Sequence, residues 1–378
     1  MRHPSPLALA LASALALGCT DEATPKPATS DGGGLSIADS GAHDTSTTFA
    51  SGAELSVPVP EKGKVFVRLE PFTVVPAPSD PKASTDWDLA FEEYTITTNG
   101  GISGPGKAGA FGPLDGVAFV ADTAPTVPFM VADKPAGAFL DWYAYEGAPA
   151  HALYSRFHVV GVKDGERLYK VQILSYYGER AGAPISALYS IRWAELGPNG
   201  PGPTRTLDGI DGTAGGAGGA ATEPNEVVDL ATGEKRMLTP AAALASPAWH
   251  LSFRRQTVTV NGGIAGPRGA VAHDLDAPTR AGESLDTVRT RSADGERAHF
   301  EAVTRASFDG KPFLAEGIVS AFGDTWVDRG GPTPTPRYAT WILVDARGQR
   351  FLVGFSAFVS ATTTSPGTVV MHRKPVPN

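Results

Sequence analysis

Trp87-Asp88-Leu89-Ala90-Phe91-Glu92-Glu93-Tyr94-Thr95-Ile96-Thr97-Thr98-Asn99-Gly100-Gly101-Ile102-Ser103-Gly104-Pro105 aligns without gaps to the stretch from Trp249 to Pro267. Eleven of the 19 positions are identical, namely the Trp, Leu, Phe, both Thr, Asn, both Gly, Ile, Gly and Pro. Trp87, Leu89 and Phe91 alternate, as do Trp249, Leu251 and Phe253, and alternation places each trio on one face of a strand. The apolar parity then switches, to Tyr94 and Ile96 in one copy and to Val258 and Val260 in the other. A bulge or bend near Glu92–Glu93 and Arg254–Arg255 accounts for the switch. Asn99-Gly100-Gly101 and Asn261-Gly262-Gly263 supply the positive φ of a tight turn. The chain therefore reads as a duplicated β unit.

Working outward, Val162-Lys163-Asp164-Gly165-Glu166-Arg167-Leu168 parallels Asp345-Ala346-Arg347-Gly348-Gln349-Arg350-Phe351, each a turn between apolar runs. Further strands are expected at 152–161, 168–177, 186–193, 338–344, 351–360 and 368–372. Helix signals are weak, with one short turn expected from Thr239-Pro240-Ala241 to Leu244. The expected organisation is all-β: two tandem antiparallel β-sheet domains, 64–196 and 226–378. A Gly/Pro-rich linker, 197–225, would join them, and a tether over 19–55, poor in aromatics and without hydrophobic period, is expected to be disordered.

The first 18 residues read as a signal peptide, with Arg2 as a basic start and Leu7 to Leu17 as an apolar run. That run is too short for a transmembrane helix but fits a secretory h-region. It ends in Leu15-Ala16-Leu17-Gly18-Cys19, which is like a lipobox except for Ala16 where Leu is more usual. Cys19 is the only Cys in 378 residues, so no intrachain disulfide can form and the domains must hold by core burial. The expectation is an exported protein held to membrane lipid through Cys19, at the outer membrane or cell surface. The formal net charge is −8 without a basic patch, which argues against nucleic acid as a partner.

Motifs of catalysis are missing. Gly101-Ile102-Ser103-Gly104-Pro105-Gly106-Lys107-Ala108 nearly matches a phosphate-binding loop. However, Ala108 replaces the magnesium-binding hydroxyl, and Gly109, Gly112 and Pro113 prevent a following helix. There is no Gly-x-Ser-x-Gly elbow, no His-Glu-x-x-His and no Cys/His zinc spacing. The chain is thus not expected to be an enzyme, and no metal ligand set is assignable. His250 replaces Asp88 of the first copy and reads as a solvent-facing strand residue, and His158 as structural. His151, His273 and His299 are better placed for loop or ligand roles. Phe139, Trp142, Tyr143 and Tyr145 cluster before a loop at Gly147–Pro149, with Tyr176-Tyr177 on a later strand. They form either core packing or a flat apolar cleft for a planar ligand.

Asp86 to Phe91, through Asn99-Gly100-Gly101 to Gly106-Lys107-Ala108-Gly109, resembles the opening signature of the HmuY family. So does Gly161 to Tyr177, with Asp164-Gly165 and Lys170-Val171-Gln172-Ile173 ahead of the paired Tyr. The second copy shares Trp249 to Gly266 but has Leu352-Val353-Gly354-Phe355 in place of the Lys-Val-Gln run. The resemblance implies surface lipoproteins of all-β fold, whose best-known members take up haem through two axial histidines. Anchored on Arg156 and Asp164-Gly165, the second of those ligands falls near Ala144–Tyr145, where there is no His. The matching stretch of the second copy, Trp326–Asp328, has none either, and the first ligand cannot be carried over because the intervening segment does not align. The ligand-binding candidates are Tyr143 and Tyr145 as phenolate donors, with His151 on the adjoining loop. The expected function is a surface protein binding haem or another small apolar ligand, with an outer-membrane protein as a further partner. The alternative is a structural or adhesive surface module with no small ligand.

Overall fold

The computed structural model describes residues 45–376 apart from 122–124, 128, 217–219, 221 and 281. The expected signal peptide, Cys19 and most of the expected tether lie outside the described residues. Among the described residues no helix is long and apolar enough to cross a membrane. The architecture is predominantly β, in several distinct sheets with minimal helix.

The repeated stretch folds alike in both copies. Strand Leu89–Glu92 turns directly into Thr95–Thr98, with Glu92 opposite Thr95, and Leu251–Arg254 turns into Thr257–Val260 with Arg254 opposite Thr257. The parity switch is thus a chain reversal through a two-residue turn and not a bulge within one strand. The first turn residue carries positive φ in each copy, 51° at Glu93 and 48° at Arg255. The shared Asn closes the unit. Asn99 donates from Nδ2 to the carbonyls of Ser84 (2.9 Å) and Trp87 (2.7 Å) and accepts from the Gly106 N–H at 3.2 Å. Asn261 donates to Ser246 (2.8 Å) and Trp249 (3.0 Å) and accepts from Arg268 at 3.1 Å. A Cβ on Gly100 or Gly262 would sit 1.9 Å from the carbonyl oxygen of Ala108 or Ala270, so only glycine lets the returning chain approach. These shared residues are therefore a folding device. The near-match to a phosphate loop, 101–108, is turn and bend without a following helix.

Two large antiparallel sheets carry most of the structure. One runs in the order Ala53–Pro58, Thr368–Pro375, Arg350–Val359, Ala339–Val344, Gly109–Asp115. The other runs Gly200–Pro201, Ala183–Gly197, Arg167–Arg180, Val160–Asp164, Val271–Asp274, with Arg205–Asp211 also paired to Ala183–Gly197. A four-stranded sheet holds each repeated hairpin: Thr73–Val75, Val65–Arg68, Leu89–Glu92, Thr95–Thr98 in one copy, and Lys235–Leu238, Asn225–Val228, Leu251–Arg254, Thr257–Val260 in the other.

Strand pairing crosses the division 64–196 / 226–378 expected from the sequence. Gly109–Asp115 pairs with Ala339–Val344, and Val160–Asp164 pairs with Val271–Asp274. The buried clusters follow the same rule. One draws on Phe139 through Ala272, and the other on Val57 to Ala110 together with Phe322 to Met371. Where the chain passes between the two, Lys134–Ala136 lies antiparallel to Gly317–Val319.

Both segments expected to lack structure are partly folded. In the expected linker, Arg205–Asp211 is a strand, and a register shift brings both Leu207 and Ile210 onto the core. The shift spaces the two apolar residues three apart, which hides the strand's period of two. At the end of the expected tether, a short helix Thr45–Phe49 buries Phe49 against Phe119, Ile342 and Leu352. The expected turn after Thr239 is a short helix, Pro240–Ala245, with the Thr239 side chain accepting from the Ala242 N–H.

Candidate functional site

Tyr143, Tyr145 and His151 all lie on one hairpin, formed by strands Tyr143–Tyr145 and Leu153–Ser155. The structure separates their roles. Tyr143 is buried, 7% exposed, within the cluster that includes Phe139, Trp142, Tyr176 and Tyr189, and burial pushes its phenol up to about 12. Tyr145 stands at the margin of that cluster, nearer the hairpin tip. Its hydroxyl is hydrogen-bonded to His151 Nδ1, and the two rings stack with centroids 5.9 Å apart. His151 is exposed, with a φ of 51°. The Tyr145 phenol is raised by partial burial and by Tyr177 beside it.

The rest of the tip is polar and aromatic. The Tyr177 hydroxyl accepts the Leu153 N–H at 3.0 Å. Tyr154 donates to Glu146 at 2.9 Å, and Arg289 lies 5.4 Å from the Tyr154 ring centroid and 3.1 Å from Glu146. Of the two readings of the aromatic run, packing accounts for Phe139, Trp142, Tyr143 and Tyr176, while Tyr145, Tyr154 and Tyr177 present surface. A shallow cleft opens beside the buried end of the hairpin, lined among others by Lys134, Pro135, Phe139, Tyr143, Gln256 and Val258. Its enclosed volume is about 20 Å³, room for about one water and too little for a small-molecule ligand.

The base of the hairpin is fixed by a polar network that sequence reasoning missed. Arg156, 8% exposed, donates from Nε to the Tyr143 carbonyl at 3.1 Å. Arg280 and Arg291 both donate to the Arg156 carbonyl, at 3.0 and 2.8 Å. Arg280 also pairs with Glu296 at 2.9 Å, and Arg291 pairs with Glu283. The Lys-Val-Gln run belongs to this network. Lys170, 1% exposed, donates to the carbonyls of Phe300 (2.7 Å) and Val303 (2.8 Å), closing the C-terminal end of helix Arg297–Ala302. Gln172 donates to Phe157 and accepts from Arg192. A buried Lys and Gln alternating on one strand was the available signal.

His158, His250, His273 and His299 are occupied structurally. His158 is 5% exposed and 2.7 Å from Asp274, and His299 lies 2.9 Å from Asp276. His273 Nδ1 lies 2.9 Å from the Pro312 carbonyl. His250, expected to face solvent, is fully buried. It takes over from Asp88, whose carboxylate accepts the N–H groups of Leu69 (2.7 Å) and Ala346 (2.8 Å). His250 Nδ1 accepts the Leu230 N–H at 3.1 Å, and Nε2 is 3.3 Å from Asp164. Burial, aided by Arg268, pushes its pKa down to about 4.

Axial ligation of haem from two sides requires donors facing each other across an open gap. Tyr145 and His151 are instead bonded to each other, and Tyr143 points into the core. The residues present do not fit two-sided ligation. Among the described residues no group of three or more His, Cys, Asp or Glu side chains could hold a metal ion.

The fold and this site define a β-sheet protein with an aromatic, polar hairpin tip and no metal cluster among the described residues. The model of the HmuY protein family matches residues 61–189, about a third of the 378-residue chain. That match takes in the first repeated stretch and the Tyr145–His151 hairpin. For the second half of the chain the likeness is the internal repeat itself. No curated protein matches the chain.

Proposed function

We propose that the chain is an exported, lipid-anchored surface protein that binds a small apolar ligand without catalysis. In this reading Cys19 carries the lipid, the segment outside the described residues spaces the fold from the membrane, and ligand contact is made at the hairpin tip. The observation that supports it most is the Tyr145–His151 pair, stacked and hydrogen-bonded at the tip within the family-matched segment. Haem is the first ligand to try, because the family resemblance implies it. Two-sided iron ligation forms no part of this proposal. A planar ring lying on the exposed aromatic face gains contact area without it.

The test is haemin titration of the soluble protein beginning at Thr20, followed by visible absorbance. The expected outcome is a saturable Soret shift weakened about tenfold or more in affinity by Tyr145→Phe or His151→Ala. Unchanged affinity in both variants would move the contact away from the tip. A featureless, non-saturating titration would leave a structural or adhesive surface module without small ligand. That second reading is favoured by the aromatic run itself, since Trp142, Tyr176 and Tyr189 fill the core with their rings 5.4–6.1 Å apart.

A further inference from the structure

We infer that the two repeats have exchanged their C-terminal halves within one chain, so that the hairpin carrying Tyr145 and His151 belongs to a unit, 137–316, completed by the second repeat.

Equivalent groups at the crossing support the exchange. Asp133 accepts the Thr98 N–H at 2.8 Å through its side chain, and its carbonyl accepts the Ile102 N–H at 3.0 Å. Glu316 repeats both contacts in the other copy, accepting Val260 N–H at 2.8 Å through its side chain and Ile264 N–H at 3.2 Å through its carbonyl. Asp133 and Glu316 therefore take equivalent places against the repeated hairpin, although the chain between Asp274 and Glu316 also forms the short helices Ala277–Arg280, Leu285–Arg289 and Arg297–Ala302. Directly afterwards the two chains pass each other antiparallel, with Lys134 opposite Val319 and Ala136 opposite Gly317. Equivalent segments meeting in this way mark a local two-fold axis, which is the geometry of an exchanged element.

Beyond the crossing, pairings that join the halves recur reciprocally. The Trp142 indole N–H donates to the Gln256 carbonyl at 2.8 Å, while that of Trp326 donates to the Tyr94 carbonyl at 3.0 Å. Gln256 and Tyr94 occupy the same turn position in the two copies, so each Trp closes the turn of the other repeat. In the same sense Val271 pairs with Lys163, and its counterpart Gly109 pairs with Val344.

The exchange has a consequence at the hairpin, and this part rests on the function proposed above. Arg289 over Tyr154, Arg280 and Arg291 on the Arg156 carbonyl, and Phe253 and Val258 in the core beneath Tyr143 all come from the second repeat. The partner that each N-terminal half is fitted to is thus the C-terminal half of another copy of its own repeat. A piece ending near residue 196 would carry the tyrosines without the side chains that hold them.

The full chain with Cys19→Ser provides the test. Lys163→Cys with Val271→Cys places two thiols at paired positions of neighbouring strands, where Cα spacings suit a disulfide. Val271→Cys with Val344→Cys is the corresponding pair if each repeat closes on itself. Under mild oxidation at low concentration, the first pair is expected to give a near-complete intrachain disulfide, read by peptide mass, and the second almost none. The reverse result would overturn the exchange. Cross-linking of the first pair into dimers that persist on dilution would also overturn it, placing the exchange between chains. If the first variant fails to fold by circular dichroism, Asp115→Cys with Ala339→Cys reports the same arrangement at the other crossing. Because no ligand enters this experiment, its result is separate from that of the haemin titration.

Discussion

His250 and Glu316 each stand where the other repeat carries an aspartate, and the replacements have opposite consequences for pH dependence. His250 titrates near 4 in the folded chain against about 6.5 when free. It contributes stability that is complete above pH 6.5 and is lost as pH falls towards 4. The shift corresponds to about 3 kcal/mol. Glu316 behaves in the contrary sense. Its counterpart Asp133 receives Thr98 N–H, the hydroxyls of Thr98 and Ser103, and Ala321 N–H. In the second copy Val260 and Ala265 stand in place of Thr98 and Ser103, so those hydroxyls are missing. Glu316 Oε2 is buried without a hydrogen-bond partner, and burial raises the acid to about 7. Its contribution is complete below pH 4.5 and is lost as pH rises through 7. In urea denaturation, Glu316→Gln is therefore expected to leave a stability that climbs between pH 4 and 6.5. His250→Asn is expected to leave one that declines between pH 4.5 and 7. Profiles parallel to the parent in both variants would show that neither group is perturbed. At this scale the sequence was informative in part. The Asp-to-His replacement was visible in the repeat alignment, but burial of the imidazole was not, because its partners, the Leu230 N–H and the Asp164 carboxylate, come from other parts of the chain.

Among the elements, the repeated hairpin is the one whose cost of disruption is best defined. Trp87 and Trp249 are each 1% exposed, and their indole N–H groups donate to the carbonyls of Pro81 and Ala243. Truncation of either to Ala is expected to cost about 3–5 kcal/mol in denaturant unfolding. A loss below about 1 kcal/mol would mean that the indole is not a core element. Asn99→Ala and Asn261→Ala are each expected to cost about 1–3 kcal/mol, since each leaves buried backbone groups unsatisfied. The alternation Trp-x-Leu-x-Phe and the Asn-Gly-Gly turn made this hairpin legible in advance. The reversal at Glu93 and Arg255 was not, because a non-glycine residue at positive φ gives no compositional mark. Strand Arg205–Asp211 escaped notice for a related reason. It lies in a Gly/Pro-rich setting, and its two inward residues, Leu207 and Ile210, come into phase only because the strand itself carries an extra residue between them.

At the scale of the whole molecule, anchoring is the simplest expectation to check. Labelled palmitate should enter the full chain and be lost in Cys19→Ser, and equal labelling of the two would rule out Cys19 as the attachment point. For the candidate site, the sequence placed Tyr143, Tyr145 and His151 close together along the chain but could not divide them. Which phenol enters the core and which meets His151 depends on packing against Tyr176, Tyr189 and Phe253, distant in sequence. The sequence by itself determined the β character of the chain, the duplication, and the turn chemistry that each copy uses. These follow from local period and from glycine, whose physical demands lie within a few residues. Only the tertiary structure decided which half pairs with which. The strand edges presented by the two repeats are locally equivalent, so alternation and register satisfy either pairing. Nor does distance along the chain choose, because each doubling of a closed loop adds only about 0.6 kcal/mol of entropic cost. The choice between equivalent edges rests on contacts such as Trp142 on Gln256 and Lys170 on Phe300, which exist only once the chain is folded.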